Sequence, residues 1–575
     1  MRGVAPPDLS VVLGLCAFTH DSAAALLVDG ELVGFVEEER LSGVKHTKAY
    51  PSQAVDWLLD EAGVKAGDVQ AVAYNFVAPD YLRAVPASAR FLPSSVTGGR
   101  ALRRAVSFAK VARRTARRTR TLASTFPNAS AHAVPHHRAH GLYAFAASGF
   151  DLAAVLVVDS LGEFQTTTIG RAHRDGGRPD HRIVWALNDP ASLGYAYGAV
   201  TEHLGWRRGD EEGTVMALAA LGDPARFRAL FARAMRITNH GFALDARLFP
   251  LRVLAHGHRR TSDEFACLTC PPRSPWEPIE QVHRDVAAAL QERTEQVMLH
   301  LARQARSMTG ARRLCVGGGV ATNCVSIGKI IEAGIFDEVF VPPAPGDAGT
   351  AIGAAASVHL SGSTAPLSGI AGTCYLGPSY AGLELETRSR SGLHARKVND
   401  PVGLLASELA AGRIVGLFHG GVEAGPRALG NRSILASPLI PDVAEKLNAR
   451  VKFREPFRPF APVVLADSAH EYFTLGQDAP YMSMASGVTD LARERIPAIV
   501  HANGTARLQT VTRRQNGFLA AVLDAFAVRT GVPVLINTSL NVKGKPICGT
   551  PDMALDCLSS CDLDALLIEG WWVTK

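Results

Sequence analysis

Short apolar runs at 11–15 and 24–28 flank the polar stretch Thr19-His20-Asp21-Ser22, and Asp29-Gly30 turns the chain into a third run at 32–36. This pattern predicts a strand, a polar loop and a hairpin. A second unit of the same kind starts at 153–159, passes through Ser160-Leu161-Gly162-Glu163 and returns at 166–171. Between them, 51–62 and the basic stretch 100–120 read as helices. Val286, Leu290, Val297 and Leu301 lie on one helical stripe within 285–306. The buried run 314–316 ends in Gly317-Gly318-Gly319, and a similar run at 339–341 ends in a Pro/Gly loop that carries Asp347 ahead of the small-residue helix 348–358.

Residues 360–366, Leu-Ser-Gly-Ser-Thr-Ala-Pro, read as a linker. Beyond it, strands at 414–418, 463–466 and 532–536 alternate with helices at 402–411 and 518–530. The expected class is α/β, with one domain over 1–362 and a second over 370–575.

Composition narrows the class. The chain has 575 residues, 47% hydrophobic and 20% charged, which is globular and excludes a disordered or collagen-like protein. No apolar run approaches the ~18 residues of a membrane span. The run 11–18 follows Asp8 and has only Arg2 as a basic residue ahead of it, so it reads as a strand and not a signal peptide. Nine cysteines, an odd number, point to reduced thiols and a cytoplasmic protein. The net charge is +6, but nine Lys/Arg and no acid fall within 100–120, which leaves the rest of the chain near neutral. Without interleaved aromatics for base stacking, this segment reads as a solvated helical arm and argues against a nucleic-acid partner.

Several clusters carry chemistry. In Pro135-His136-His137-Arg138-Ala139-His140, His136 and His140 share one helix face and could hold a divalent metal, with Asp159 and Asp347 completing the set. His137 with His140 is a competing pair on spacing alone. Two His and two Asp suit Fe(II), Mn(II) or Zn(II). Hairpin loops followed by a late Gly-Gly-Gly turn are the pattern of actin-like ATPases, whose backbone amides cradle phosphates. Further on, Gly425-Pro426-Arg427-Ala428-Leu429-Gly430-Asn431-Arg432-Ser433 and Lys452-Phe453-Arg454-Glu455-Pro456-Phe457-Arg458 gather cations suited to a phosphate. Asn537-Thr538-Ser539-Leu540-Asn541 adds hydroxyls and amides. There is no GxSxG elbow and no Walker A lysine, and Cys267/Cys270 form a lone CxxC.

Taken in order, His20-Asp21-Ser22-Ala23-Ala24, Glu37-Glu38-Glu39-Arg40 with Lys45-His46, the His136–His140 cluster, the 425–433 motif, Gly504-Thr505-Ala506-Arg507-Leu508-Gln509-Thr510-Val511 and the 537–547 motif resemble the O-carbamoyltransferases of antibiotic and nodulation-factor biosynthesis. The resemblance runs through essentially the whole chain. It implies an actin-like (ASKHA) N-terminal domain and a YrdC-like C-terminal domain. The latter would make carbamoyl-adenylate from carbamoyl phosphate and ATP with Mg. The former would pass the carbamoyl group to a hydroxyl of a small acceptor. Carried over, the metal ligands are His136, His140, Asp159 and Asp347, with Fe(II) first among the metals. The carbamoyl phosphate residues are Arg427, Lys452, Arg458 and Ser539. Gly317, Gly318, Gly319 and Asn323 lie against the adenylate, and His20 acts near the acceptor hydroxyl as general base. No membrane partner is implied, and a homodimer is the assembly allowed.

An actin-like carbohydrate kinase would leave the C-terminal cations idle, whereas a tRNA threonylcarbamoyladenosine-type enzyme would share both domain types. The chain departs from the family pattern at Thr214, where a lysine is usual, at Lys545, where an acid is common, and at Ser160, often glycine.

Overall fold

The computed structural model describes residues 10–255, 257–385 and 392–575; Arg2 and Asp8 lie outside them. The chain forms two compact units, one of Met1–Gly34 with Leu58–Ala371, the other of Phe35–Trp57 with Gly372–Lys575.

The first unit holds two five-stranded sheets. One is formed by β1 (Val11–Cys16), β2 (Ala23–Val28), β3 (Glu31–Glu37), β4 (Ala71–Tyr74) and β5 (Ser130–Ala133), in the order β3-β2-β1-β4-β5. The other is formed by β6 (Leu152–Gly162), β7 (Gln165–Asp175), β8 (Arg178–Asn188) and, after a small hairpin of β9 (Met235–Thr238) and β10 (Gly241–Leu244), β11 (Arg313–Gly317) and β12 (Glu338–Phe340). Its order is β12-β11-β6-β7-β8. The two sheets therefore repeat one plan. A central strand, β1 or β6, is followed by an antiparallel turn-back, β2 or β7, and pairs on its other side in parallel with β4 or β11. Buried strands read as continuous apolar runs because both faces are covered. The small-residue helix Thr350–Gly362 covers β1, and the helix His136–Ser148 packs against it. Alanines and glycines at that crossing allow the close approach.

The segment 360–366 is less of a linker than its composition suggests. Leu360 to Gly362 complete the preceding helix, and the carbonyls of Leu360 and Ala365 accept hydrogen bonds from Arg178.

The basic segment lies in the helix Gly98–Thr125, and it is not simply a solvated arm. Arg104 is fully buried, with its guanidinium 2.7 Å from Asp189 Oδ1 and donating to the Ser88 hydroxyl. Arg118 lies over the Phe18 ring at 4.6 Å.

The second unit is built on one nine-stranded sheet. Its strands are β13 (His394–Lys397), β14 (Val415–Phe418), β15 (Arg432–Ala436), β16 (Ala461–Leu465), β17 (Met484–Gly487), β18 (Thr505–Val511), β19 (Val534–Ser539), β20 (Ala565–Ile568) and β21 (Trp571–Thr574). Their order is β13-β21-β20-β14-β15-β19-β16-β18-β17. Helices Pro401–Ala410 and Gly517–Thr530 pack on it through Leu405, Leu409, Leu519, Leu523 and Phe526. The register pairs Phe418 with both Arg432 and Ile568, Ser433 with Ser539, Ala461 with Asn537, and Val463 with Gln509. One edge of the sheet thus gathers the end of β14, the start of β15, the end of β19, the start of β16 and the early residues of β18. No helix among the described residues is long and apolar enough to cross a membrane, and no disulfide joins any of the nine cysteines.

Candidate functional site

In the first unit, the structure brings His136, His140, Asp159 and Asp347 together, with one donor atom from each within 4.8 Å of all the others. The histidines lie one turn apart on the first turns of helix His136–Ser148. Asp159 lies in β6, where pairing with β7 breaks register between Val158 and Gly162. Asp347 opens the 3₁₀ turn ahead of helix Thr350–Gly362.

His136 Nε2 is 3.1 Å from His140 Nε2, 3.6 Å from Asp159 Oδ2 and 3.4 Å from Asp347 Oδ1; His140 Nε2 is 3.7 Å from that same Asp347 oxygen. Ligands bound at about 2.0–2.2 Å to one ion stand roughly 3.0–3.5 Å apart, so these spacings suit a shared metal. The donor chemistry fits as well, because two ring nitrogens at 3.1 Å, which must share either a proton or a cation, face two carboxylates. Burial alone would raise both carboxyls, but the facing histidines outweigh it and hold Asp159 and Asp347 below the usual carboxylate range. Burial works against charge on His136, yet the two aspartates lift it well above the usual histidine range.

The surroundings fix these side chains. His136 Nδ1–H donates to the Asn75 carbonyl at 3.3 Å, which turns Nε2 toward the aspartates. Phe76 stacks on the His136 ring at 4.7 Å. The Gly319 amide donates to Asp159 Oδ1 at 3.0 Å. A Cβ on Gly162 would lie 2.5 Å from the His137 ring and 2.9 Å from that of His136, so only glycine admits both histidines there. His137 does not join the cluster. Its Nδ1 meets the Thr168 hydroxyl at 3.2 Å, and burial pushes its ring down to about 3.

Ser160, the residue after Asp159, has its carbonyl and hydroxyl held by Arg252 at 2.8 and 3.1 Å. Arg252 in turn meets Asp189, the partner of buried Arg104. A chain of charged contacts therefore runs from the basic helix to the strand that bears Asp159.

His20 borders the cluster, with Nδ1 3.0 Å from Asp21 Oδ2 and Nε2 4.0 Å from Asp347 Oδ2. Burial disfavours its charge, but the Asp21 hydrogen bond and the Asp347 charge prevail and raise it to about 9. Gly317 ends β11, and Gly318 and Gly319 form the following turn. Asn323 caps the next helix through Ser326 N–H, and its amide is paired reciprocally with Gln291. Thr214, where a lysine is usual, is buried, and its hydroxyl has no hydrogen-bond partner among the described residues.

The second unit gathers cations at the sheet edge described above. Lys452 and Ser539 meet there. The Lys452 ammonium lies 2.7 Å from the Ser539 carbonyl, 3.2 Å from its hydroxyl, and 3.0 and 2.6 Å from the Asn541 carbonyl and Oδ1. Its protons therefore hold the 539–541 turn. Burial, with Arg454 and Arg458 nearby, pushes Lys452 down to about 7. Burial also depresses Arg454, with Arg458, Arg507 and Arg427 adding to the effect and Glu455 opposing it. The like-charged group thus contains two residues absent from the carried-over set, Arg454 and Arg507. Arg454 could have been found between Lys452 and Arg458. Arg507 becomes visible only once β16 and β18 pair in parallel. Arg432 is structural: it is buried, lies over the Phe418 ring at 3.6 Å and donates to the His419 and Gly420 carbonyls.

The chain belongs to the carbamoyltransferase family: the profile described as Carbamoyltransferase N-terminus matches residues 11–356, and Carbamoyltransferase C-terminus matches 406–575. The resemblance read from the motifs is thereby borne out, and the chain is an O-carbamoyltransferase. Among its relatives, nodulation protein NolO of Bradyrhizobium diazoefficiens is 37% identical over 76% of this chain and 78% of its own length. Nodulation protein NolNO of Sinorhizobium fredii is 33% identical over 97% of this chain and 79% of its own. A solved structure, HypF of T. kodakarensis, aligns with 62% of this chain and 48% of that one at 14% identity and a TM-score of 0.32, which carries no argument.

Proposed function

We propose that the enzyme moves the carbamoyl group of carbamoyl phosphate, through carbamoyl-adenylate, to a hydroxyl of a small secondary-metabolite acceptor. Phosphate leaves carbamoyl phosphate, pyrophosphate leaves ATP, AMP leaves on transfer, and one water is consumed. The observation that carries this reading is the buried Arg454, whose charge is disfavoured by burial and by the nearby Arg458, Arg507 and Arg427, so that an anion is favoured there. Ser539, held beside it by Lys452, adds a hydroxyl. The second unit is the YrdC-like activating domain in this reading.

The repeated sheet plan of the first unit supports the actin-like assignment, with the Gly317–Gly319 turn and Asn323 against the adenylate. His136, His140, Asp159 and Asp347 would hold a divalent metal, Fe(II), Mn(II) or Zn(II), which when bound supplies positive charge to the phosphate side of the leaving group. His20 orients the acceptor hydroxyl and takes its proton as the new C–O bond forms, a role open to it once a bound cation offsets the Asp347 and Asp159 charges that otherwise help keep its ring protonated. ATP enters with Mg, and nine cysteines held in no disulfide support a cytoplasmic setting.

The test is incubation with carbamoyl phosphate and ATP, with pyrophosphate as the readout. Release that requires both supports the reading. ADP formation indifferent to carbamoyl phosphate would indicate a kinase. A requirement for threonine and bicarbonate would indicate tRNA-type chemistry.

A further inference from the structure

We propose that Glu37 and Arg40 are positioning residues for the Gly425–Arg427 turn, and so set how tightly the basic cluster holds carbamoyl phosphate. This rests on the reading above that the cluster binds that ligand.

The run Glu37-Glu38-Glu39-Arg40 is buried, four consecutive charged residues that are costly to desolvate unless each is bonded. Two of them serve local structure. Glu38 accepts from the Gln53 and Ala54 amides at 3.3 and 2.9 Å, at the start of helix Ser52–Ala62. Glu39 accepts from the His46 amide at 2.8 Å and from Arg40.

The other two reach across the sequence to a single glycine. Glu37 Oε1 accepts from the Gly425 amide at 2.7 Å, and Arg40 donates to the Gly425 carbonyl at 2.7 Å. The Glu37 and Arg40 side chains are themselves 3.9 Å apart. One acid and one base thus hold both sides of a residue whose φ is +90°, a conformation that suits glycine.

The far end of the turn is held as firmly. Glu423 Oε1 accepts from the Leu429, Asn431 and Arg432 amides at 2.8, 2.8 and 3.0 Å. Arg427 sits between these two anchors. Arg40 cannot shift easily, because a Cβ on Gly549 would lie only 1.8 Å from its carbonyl oxygen, so the loop before helix Pro551–Ser560 presses directly on it. A motif within the span matched by the N-terminal family profile therefore serves the C-terminal unit.

The experiment is calorimetric titration of carbamoyl phosphate into the full-length wild type and the variants Arg427→Ala, Glu37→Ala, Glu37→Gln and Arg40→Lys, with metal content measured on each. Arg427→Ala and Glu37→Ala should weaken binding by roughly tenfold or more. Glu37→Gln keeps an oxygen for the Gly425 amide and should stay within about threefold of wild type. Metal content should not change. If Glu37→Ala fails to fold, Arg40→Lys carries the test. Lysine is shorter and lacks the fork whose two terminal nitrogens reach Glu39 and the Gly425 carbonyl separately, so several-fold weaker binding is expected. Wild-type affinity in Glu37→Ala or Arg40→Lys, beside weakened Arg427→Ala, overturns the positioning role and leaves the proposed function standing. Glu37→Gln as weak as Glu37→Ala also overturns it. A wild type that does not bind carbamoyl phosphate overturns the functional reading itself.

Discussion

In the first unit, His136, His140, Asp159 and Asp347 face one another as bases and acids, with donor atoms as close as 3.1 Å. In the second, Arg427, Arg454, Arg458 and Arg507 face one another with the same sign. The first group can balance its charge internally by sharing protons, or can trade them for a divalent cation. The second is weighted one way at Arg454, where the charges of Arg458, Arg507 and Arg427 oppose its own and that of Glu455 favours it. A cluster of unlike charges is ready for a cation, and a cluster of like charges is ready for an anion. The difference suggests a division of labour, with activation at the arginines and transfer at the histidines.

The largest expected effect breaks the first cluster. His140→Ala should lower carbamoyl transfer by at least about 100-fold and reduce the metal content measured on the purified protein. Retained metal together with retained transfer would remove His140 from the ligand set.

Breaking the second cluster should act on a different observable. Arg458→Ala or Arg454→Met should weaken carbamoyl phosphate binding by about 10- to 150-fold, the range of a lost charged hydrogen bond, with metal content unchanged. Inorganic phosphate should raise the unfolding temperature of the wild type more than that of Arg454→Met, because the anion relieves a repulsion the variant has already lost.

A smaller effect sharpens the comparison. Arg252→Met releases Ser160, the neighbour of Asp159, and should weaken metal affinity by about tenfold in a metal titration while carbamoyl phosphate binding holds.

The smallest effect is a pH dependence in the second unit. Burial lifts Glu37 to about 7 in the folded chain, against about 4.3 when unfolded. The folded state holds that proton more tightly, so the group's stabilising contribution is full below the unfolded value and is lost as pH rises through 7. Between pH 4.5 and 7 the wild-type unfolding temperature should fall relative to that of Glu37→Gln. Parallel curves would remove Glu37 as the source.

The sequence made some of this readable for identifiable reasons. The i, i+4 spacing of His136 and His140 places both on one helix face, whatever else the chain does. Asp159 and Asp347 have no such local signature. They reach the histidines because β6, β11 and β12 pair in parallel, so that the end of β6, which bears Asp159, and the turn after β12, which bears Asp347, lie at the same end of the sheet. Their places after apolar strand runs made them candidates, and the motif resemblance implied them as ligands; periodicity did neither. His137 was an equal candidate on spacing, and Gly162 and Thr168 decide its place.

Composition misread Arg104, because its partner Asp189 is 85 residues away and on no shared element. Glu37 and Arg40 were legible as a motif, but not as part of the second unit. Nothing in a run of charged residues shows that Gly425, nearly 400 positions on, takes up their hydrogen bonds.

The most direct test of the division of labour is pyrophosphate release from carbamoyl phosphate and ATP, measured side by side in the wild type, His140→Ala and Arg458→Ala. The account predicts that His140→Ala releases pyrophosphate at close to the wild-type rate while forming no carbamoylated acceptor, and that Arg458→Ala loses the release. Loss of pyrophosphate release in His140→Ala, with its carbamoyl phosphate binding intact, would show that the histidine cluster takes part in activation and would contradict the account.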